Sequence, residues 1–180
     1  MKLKLSIFLF IAFFASQSSY GLVGMTKNAC IDKIKSAGFS EQQSTGYPAK
    51  DRQVQEKIEF IDTYYAEKLE LIRATLDVHE LYLIFLDEIC VAATYEVYTG
   101  RVERYEGDSH LLSIANVLDM YPGKWEPLIS KKSGGHLLRN SESKLMATTR
   151  IEEHAFHVLV TVYSTKWRST YNSWISKLKE

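Results

Sequence analysis

The chain contains little cysteine and little proline, with two Cys and three Pro in 180 residues. Two cysteines exclude a disulfide-rich scaffold, in which several bridges replace a hydrophobic core. The formal net charge is zero, so there is no excess of positive charge to attract nucleic acid or an anionic membrane. Hydrophobic residues still make up 46% of the chain, which is enough for one ordinary globular domain to bury a core.

The sequence also lacks the short motifs that carry enzyme chemistry. It contains no Gly-x-Ser-x-Gly nucleophile elbow, no His-Glu-x-x-His zinc motif, no heme attachment motif and no glycine-rich phosphate-binding loop. Neighbouring carboxylates such as Asp87 and Glu88 are consecutive, and consecutive side chains on a helix point apart. We therefore expect a protein that is not an enzyme and that uses no cofactor.

Residues 1–21 have the features of a secretory signal peptide. Lys2 and Lys4 form a positive n-region, residues 5–14 form the apolar run, and the small and polar residues that follow offer cleavage sites at 16–18 or 19–21. The run is too short for a helix to cross about 30 Å of hydrocarbon, and no other long apolar run follows. The sequence thus predicts a periplasmic or secreted protein with no integral membrane segment in the mature chain.

The mature chain has two cysteines, Cys30 and Cys90. Two cysteines in an exported protein most often form a disulfide bond, which would here close a loop of about 60 residues and stabilise the fold by about 3–4 kcal/mol. We expect that bond. The alternative is that Cys90 is a buried apolar residue and Cys30 is a free thiol.

Apolar residues recur at spacings of three and four along much of the mature chain, as in amphipathic helices. The pattern predicts a short helix over 26–37, closed by Gly38 in the left-handed conformation, and another over 108–121, ended by Pro122. Residues 51–99 would form a long helical region, either continuous or broken near Asp77, where an N-cap is available.

Residues 141–179 form the second long region of this kind, although the β-branched run at 158–163 is also compatible with a strand. The helical spacing across the whole region favours a helix. Residues 22–180 are therefore predicted to be a single all-α domain, an antiparallel helical bundle of four to six helices, compact or elongated according to the break. The sequence shows no internal repeat.

The densest group of metal-ligand side chains is Glu153, His154 and His157. One helical turn would place His154 and His157 on the same face, with Glu153 one turn before His157. These residue types suit zinc or another divalent cation, but a closed site needs ligands from a second helix, which the sequence does not identify. The alternative is that the histidines lie on a helix surface without a ligand role.

One segment resembles a known family. Residues 82–90, Tyr-Leu-Ile-Phe-Leu-Asp-Glu-Ile-Cys, resemble the aromatic-x-x-aromatic-Arg-Asp-x-x-Cys segment of small exported helical proteins of the LprI type, which are lysozyme inhibitors. Residues 62–69 are similar to the Asn-x-x-Tyr-x-x-Leu helix of that family, and Cys30 lies near the position of its N-terminal cysteines. Tyr82 stands where the family has tryptophan, Leu86 where it has arginine, and the further cysteines are missing. The resemblance implies an exported helical protein that inhibits a protein partner.

Export, small size and a high aromatic content, without any sign of catalytic chemistry, indicate a non-enzymatic binding protein. We expect it to dock on another extracytoplasmic protein, as inhibitors and immunity-type factors do. The alternatives are a metal- or small-ligand-binding helical protein, and a peripheral envelope or assembly factor whose C-terminal aromatic residues contact a membrane, namely Trp167, Tyr171 and Trp174. The sequence leaves the partner and the oligomeric state open.

Overall fold

The computed structural model describes residues 21–43, 70–99, 107–130, 135–152 and 157–166, and these residues are built around a β-sheet. They include two helices, α1 (Lys27–Ser36) and α2 (Gly107–Leu118). The strands are β1 (Ser40–Gln43), β2 (Glu70–Leu76), β3 (His79–Leu86), β4 (Ile89–Tyr98), β5 (Trp125–Ser130), β6 (His136–Asn140), β7 (Leu145–Glu152) and β8 (His157–Ser164).

All eight strands form one antiparallel sheet in the order β1-β2-β3-β4-β8-β7-β6-β5. Strands β1 to β4 form one meander, and β5 to β8 form a second one that starts from the opposite edge. The two meanders meet where β4 pairs with β8, from Ala92 opposite Tyr163 to Tyr98 opposite His157. Within the described residues, each meander comes after one helix along the chain: α1 precedes β1 to β4, and α2 precedes β5 to β8. The topology therefore repeats a unit of one helix and four strands, which the sequence does not reveal.

The predicted all-α bundle is wrong. Residues 70–98 form three strands in place of the second part of the helical region predicted over 51–99. Residues 145–152 and 157–164 form two more strands within the region predicted as helical over 141–179, so the strand alternative at 158–163 is the correct one. The remainders at 51–69 and 167–179 lie outside the described residues.

The helical interpretation failed because the central strands are buried on both faces of the sheet. Leu81, Leu83 and Phe85 of β3 belong to the core beneath the helices, whereas Tyr82 and Ile84 of the same strand belong to a smaller apolar cluster on the opposite face. A strand buried on one face alternates apolar and polar residues. A strand buried on both faces is a continuous apolar run, which also satisfies spacings of three and four.

Acidic residues form the tight turns between the first strands. Asp87 and Glu88 connect β3 to β4 with φ values of +50° and +64°, as the two central residues of a type I′ hairpin turn require. Asp77, which was predicted as a helix N-cap, lies in the β2–β3 turn with a φ of +53°. Aspartate tolerates this left-handed region better than most residues because its short side chain can hydrogen-bond locally.

Helix α1 confirms the first predicted helix. Thr26 caps its N-terminus through the side-chain hydroxyl, and Gly38 follows its last turn with a φ of +86°. The backbone amide of Lys27 donates to the carbonyl of Glu88 at 2.8 Å. This bond ties the start of α1 to the β3–β4 turn and places the helix against the sheet.

Helix α2 confirms the predicted helix over 108–121, with its end a few residues earlier. Its apolar face contributes Ile114, Val117 and Leu118 to the same core as α1. The indole N–H of Trp125 donates to the carbonyl of Leu118 at 3.1 Å, so the last turn of α2 is held by the first residue of β5. The main core therefore lies between the two helices and one face of the sheet.

Candidate functional site

The predicted metal ligands are not brought together in the part of the chain that the structure describes. His157 is the first residue of β8, a strand and not a helix, and its Nδ1 is hydrogen-bonded to the carboxylate of Glu96. Glu153 and His154 lie outside the described residues. Within the described ranges no group of three or more His, Cys, Asp or Glu side chains could hold a metal ion.

The predicted disulfide bond between Cys30 and Cys90 is wrong, because both residues are free thiols in the structure. Cys30 on α1 and Cys90 on β4 are fully buried and too far apart for a disulfide bond. The thiol of Cys30 donates to the carbonyl of Leu22 at 3.5 Å, and that of Cys90 donates to the carbonyl of Ala92 at 3.4 Å. Burial raises the pKa of Cys90 well above its ordinary value, which keeps that thiol protonated. The two cysteines therefore pack α1 against β4 as small apolar residues.

Two buried tyrosines lie in the same core. The hydroxyls of Tyr95 on β4 and Tyr121 after α2 are 2.8 Å apart and hydrogen-bonded. Burial raises the pKa of both phenols above the ordinary value, so both stay protonated and one donates to the other. This pair satisfies polar groups in the core and offers no site that solvent can reach.

The opposite face of the sheet carries a cluster of charged and hydroxyl side chains, which we call the second-face cluster: Arg73, Glu80, Tyr82, Thr94, Glu96, His157 and Thr161. The carboxylate of Glu80 accepts hydrogen bonds from the guanidinium of Arg73 and from the hydroxyl of Tyr82. The guanidinium carbon of Arg73 lies 5.8 Å from the centre of the Tyr82 ring. Burial and the bond to Glu80 raise the pKa of Tyr82, so its phenol remains a donor.

The centre of the second-face cluster joins the two meanders. The hydroxyls of Thr94 on β4 and Thr161 on β8 are 2.9 Å apart, and these residues are directly opposite each other. Glu96 lies two residues after Thr94 on β4. It is only 3% exposed and is hydrogen-bonded to His157. The ring of Tyr98 meets that of His157 edge-on, with the centroids 5.3 Å apart.

These contacts give the second-face cluster a structural character. Both of its carboxylates accept hydrogen bonds, which among the described residues come from side chains of the same sheet. Glu80 accepts from Arg73 on β2 and from Tyr82 on its own strand, and Glu96 accepts from His157 on β8. The cluster thus supplies cross-strand hydrogen bonds, as buried polar groups require.

Sequence reasoning missed the second-face cluster because its members are far apart along the chain. Glu96 and His157, for example, are 61 positions apart. The available signal was the polar residues that interrupt the apolar strands, Arg73 in β2 and Thr94 and Glu96 in β4.

The edge strand β5 is the most exposed apolar segment among the described strands. Leu128 is 52% exposed and Ile129 is 54% exposed. They follow Pro127 directly, and the register with β6 shifts between Pro127 and Ile129, so that Leu128 is the extra residue of a β-bulge. Within the described residues β5 has one strand neighbour, β6, and its other edge carries backbone groups without a strand partner.

The opposite edge, formed by β1, is built differently. It has four residues, Ser-Glu-Gln-Gln, and none of them is apolar. Glu41 of this strand forms an ion pair with Lys35 of α1 at 3.1 Å. Short, polar and charged edges resist pairing with other chains. The edge at β1 is therefore protected by its composition, whereas residues 127–130 of β5 carry no charge.

Helix α2 exposes a second small apolar feature. Leu111 and Leu112 are 55% and 59% exposed on the side of the helix that faces away from the sheet. Isolated exposed leucines are common on protein surfaces and need no special explanation.

Neither helix in the described ranges is long and apolar enough to cross a membrane. No protein-family model matches the chain, and no curated protein and no solved structure is detectably similar to it. The resemblance of residues 82–90 to the LprI-type lysozyme inhibitors stays a prediction, and those residues form the β3–β4 hairpin of this fold.

Proposed function

We propose that this chain is an exported binding protein that docks on another extracytoplasmic protein. The partner would add an extended segment to the edge of β5 that has no strand neighbour among the described residues. Export rests on the signal peptide predicted at residues 1–21. The observation that carries the proposal is the exposure of Leu128 and Ile129, both above half, on the terminal strand of the sheet.

The chemistry of a strand edge determines what kind of partner fits. An edge presents backbone N–H and C=O groups at the spacing of a β-ladder, and another extended chain supplies the complementary groups. A helix has its backbone groups engaged internally and could cover only the side chains. We therefore favour an extended segment of the partner, with apolar side chains that contact Leu128 and Ile129.

The expected affinity is moderate. Full burial of a leucine or isoleucine contributes about 1.5–3 kcal/mol, so covering the exposed half of each side chain on β5 contributes about 1 kcal/mol per residue. Backbone hydrogen bonds set the register and orientation of the added strand, and further side-chain contacts must supply the rest of the affinity.

A different protein is a better partner for β5 than a second copy of this chain. Pro127 has no backbone N–H, so β5 itself offers one hydrogen-bond donor fewer to a strand that pairs with it. Two copies paired edge to edge would lose one donor from each strand.

The experiment combines capture with site-specific crosslinking. A photo-crosslinking amino acid replaces Leu128, and the tagged protein is exposed to an extracytoplasmic extract of its host. The same capture is performed with Ile129→Lys and with the matched control Leu112→Lys, which adds the same charge at an equally exposed position on α2. The crosslinked partner is then purified, and its amide hydrogen exchange is measured with and without this protein.

The expected result is one partner that binds the unmodified protein and Leu112→Lys equally and loses at least about tenfold in affinity with Ile129→Lys. The partner segment crosslinked to position 128 should gain amide protection, as a newly paired strand does. Equal binding by Ile129→Lys, or crosslinks only to a second copy of the chain, would contradict the proposal.

The other hypotheses have separate readouts. Stoichiometric metal in the purified protein that is lost in His154→Ala would favour the metal-binding alternative. Flotation with liposomes that requires residues 164–180 would favour the peripheral envelope factor. Measurable turnover of a substrate would contradict the expectation that the protein is not an enzyme.

A further inference from the structure

The last residue of β4 is held by a histidine side chain. The backbone N–H of Tyr98 donates to Nδ1 of His79, the first residue of β3, at 3.2 Å. The His79 side chain is buried, with 1% of the residue exposed. An imidazole nitrogen accepts a hydrogen bond only while it carries no proton. The bond to Tyr98 therefore exists only in the neutral form of His79 with its proton on Nε2.

Histidines from other elements surround the same point of the chain. His157 of β8 contacts the ring of Tyr98, and His110 of α2 lies 3.3 Å from the hydroxyl of Thr99, the next residue. The end of β4 is thus in contact with the first residue of β3, the first residue of β8 and the first turns of α2. These contacts connect the end of β4 to both meanders and to the second helix.

We propose that His79 is a proton-controlled clamp on the end of β4, which holds the Tyr98 amide while the imidazole is neutral and releases it when the imidazole takes up a proton. This inference is independent of the proposed docking at β5. It concerns a conformational device within the sheet and requires no partner.

The titratable groups that face His79 shift its pKa in opposite directions. Asp77, in the turn before β3, favours its protonated form, and His157 on β8 disfavours it. Glu96 on β4 is already bonded to His157, and Glu80 next to His79 on β3 accepts from Arg73 and Tyr82. These two acids are therefore engaged elsewhere. His110 on α2 contributes no negative charge.

Burial is the largest influence on His79 and lowers its pKa below the ordinary value of 6.5. The clamp therefore stays closed at neutral pH and opens only in a more acidic medium. Opening replaces an acceptor by a second donor opposite the Tyr98 N–H, so the hydrogen bond is lost and the two groups repel each other.

Amide hydrogen exchange on the intact protein tests this inference. Protection of the Tyr98 amide, corrected for the intrinsic pH dependence of exchange, is followed from about pH 7.5 downward until NMR shows that the His79 imidazole has taken up a proton. The variant His79→Asn places an amide oxygen near the position of Nδ1 and cannot titrate in this range. His136→Asn, on β6, is the matched control because it removes a half-buried histidine elsewhere in the sheet.

We expect the protection of Tyr98 in the unmodified protein and in His136→Asn to fall at least about tenfold on acidification, and to change little in His79→Asn. An equal fall in His79→Asn, or no fall in the unmodified protein, overturns the inference. If His79→Asn does not fold, the His79 ring nitrogens are titrated by NMR in the unmodified protein. Loss of Tyr98 protection at a pH where Nδ1 is still unprotonated also overturns it.

Discussion

Glu96 of β4 is hydrogen-bonded to His157 of β8 across the strand pair that joins the two halves of the sheet. Glu96 is almost fully buried, whereas about a quarter of the His157 side chain reaches solvent. A carboxylate so far from water is tolerated only when it has a hydrogen-bonded partner. The pair therefore contributes to the connection between the two meanders.

Removal of the His157 ring should destabilise the fold. In His157→Ala, Glu96 loses its described partner while remaining buried, and we expect the free energy of unfolding to fall by about 1–3 kcal/mol. Urea denaturation measures this change, with an unaltered m-value as the sign that the native fold is retained. His136→Ala on β6 is the control and should have a smaller effect. A His157→Ala protein as stable as the unmodified one would contradict the role of the pair.

Stability should decrease in mildly acidic solution because of His79. Burial lowers the pKa of His79 in the folded protein, so the unfolded chain binds a proton at this residue at a higher pH than the folded chain does. The free energy of unfolding therefore falls as the pH drops below about 6.5, by at most about 1.4 kcal/mol per pH unit from this group.

Urea denaturation at several pH values measures that slope, and His79→Asn supplies the comparison. The variant should show a shallower decline between neutral pH and the lowered pKa of the folded protein, since its side chain does not titrate there. Identical pH profiles for the variant and the unmodified protein would show that other groups cause the decline.

The two cysteines should behave as buried free thiols. A thiol reagent added to the native protein should react slowly with Cys30 and Cys90, because both are fully buried and the pKa of Cys90 is raised. In denaturant without reductant, two thiols per chain should react at once. The absence of reactive thiols in denaturant would show a covalent bridge and contradict the structure.

Neighbouring residues of β3 should both be sensitive to truncation. Leu83 faces the core beneath the helices and Ile84 faces the opposite side of the sheet, and each is buried. We expect Leu83→Ala and Ile84→Ala each to lower the free energy of unfolding by about 2–5 kcal/mol. Leu112→Ala, at an exposed position of α2, should change it by less than about 0.5 kcal/mol. If only one of the two substitutions lowered the free energy of unfolding, β3 would not be buried on both faces.

The two described helices could be predicted because their limits depend on local chemistry. Thr26 satisfies a backbone amide at the start of α1, and Gly38 adopts the left-handed conformation after its last turn. Pro122 follows α2, where it discourages further helix. These preferences act over a few residues and do not depend on what packs against the helix.

The strands could not be assigned from the apolar pattern. Residues 79–86 are buried on both faces, so the alternation that identifies a strand is absent. The more reliable local signal was the pair Asp87 and Glu88, which forms a two-residue turn between two β-rich runs. The capping interpretation of Asp77 was wrong because an acidic residue with a short side chain suits a helix N-cap and a tight turn equally.

The sequence by itself determined that the chain has enough apolar residues to bury a core and roughly where the two described helices begin and end, since these follow from side-chain hydrophobicity and from caps a few residues long. Only the tertiary structure decided that the apolar runs are strands, that Glu96 meets His157 and that Cys30 and Cys90 are free thiols. It also decided that β5 lies at an edge with Leu128 and Ile129 exposed. Strand pairing is an interaction between distant segments, and its register depends on partners that no local pattern contains.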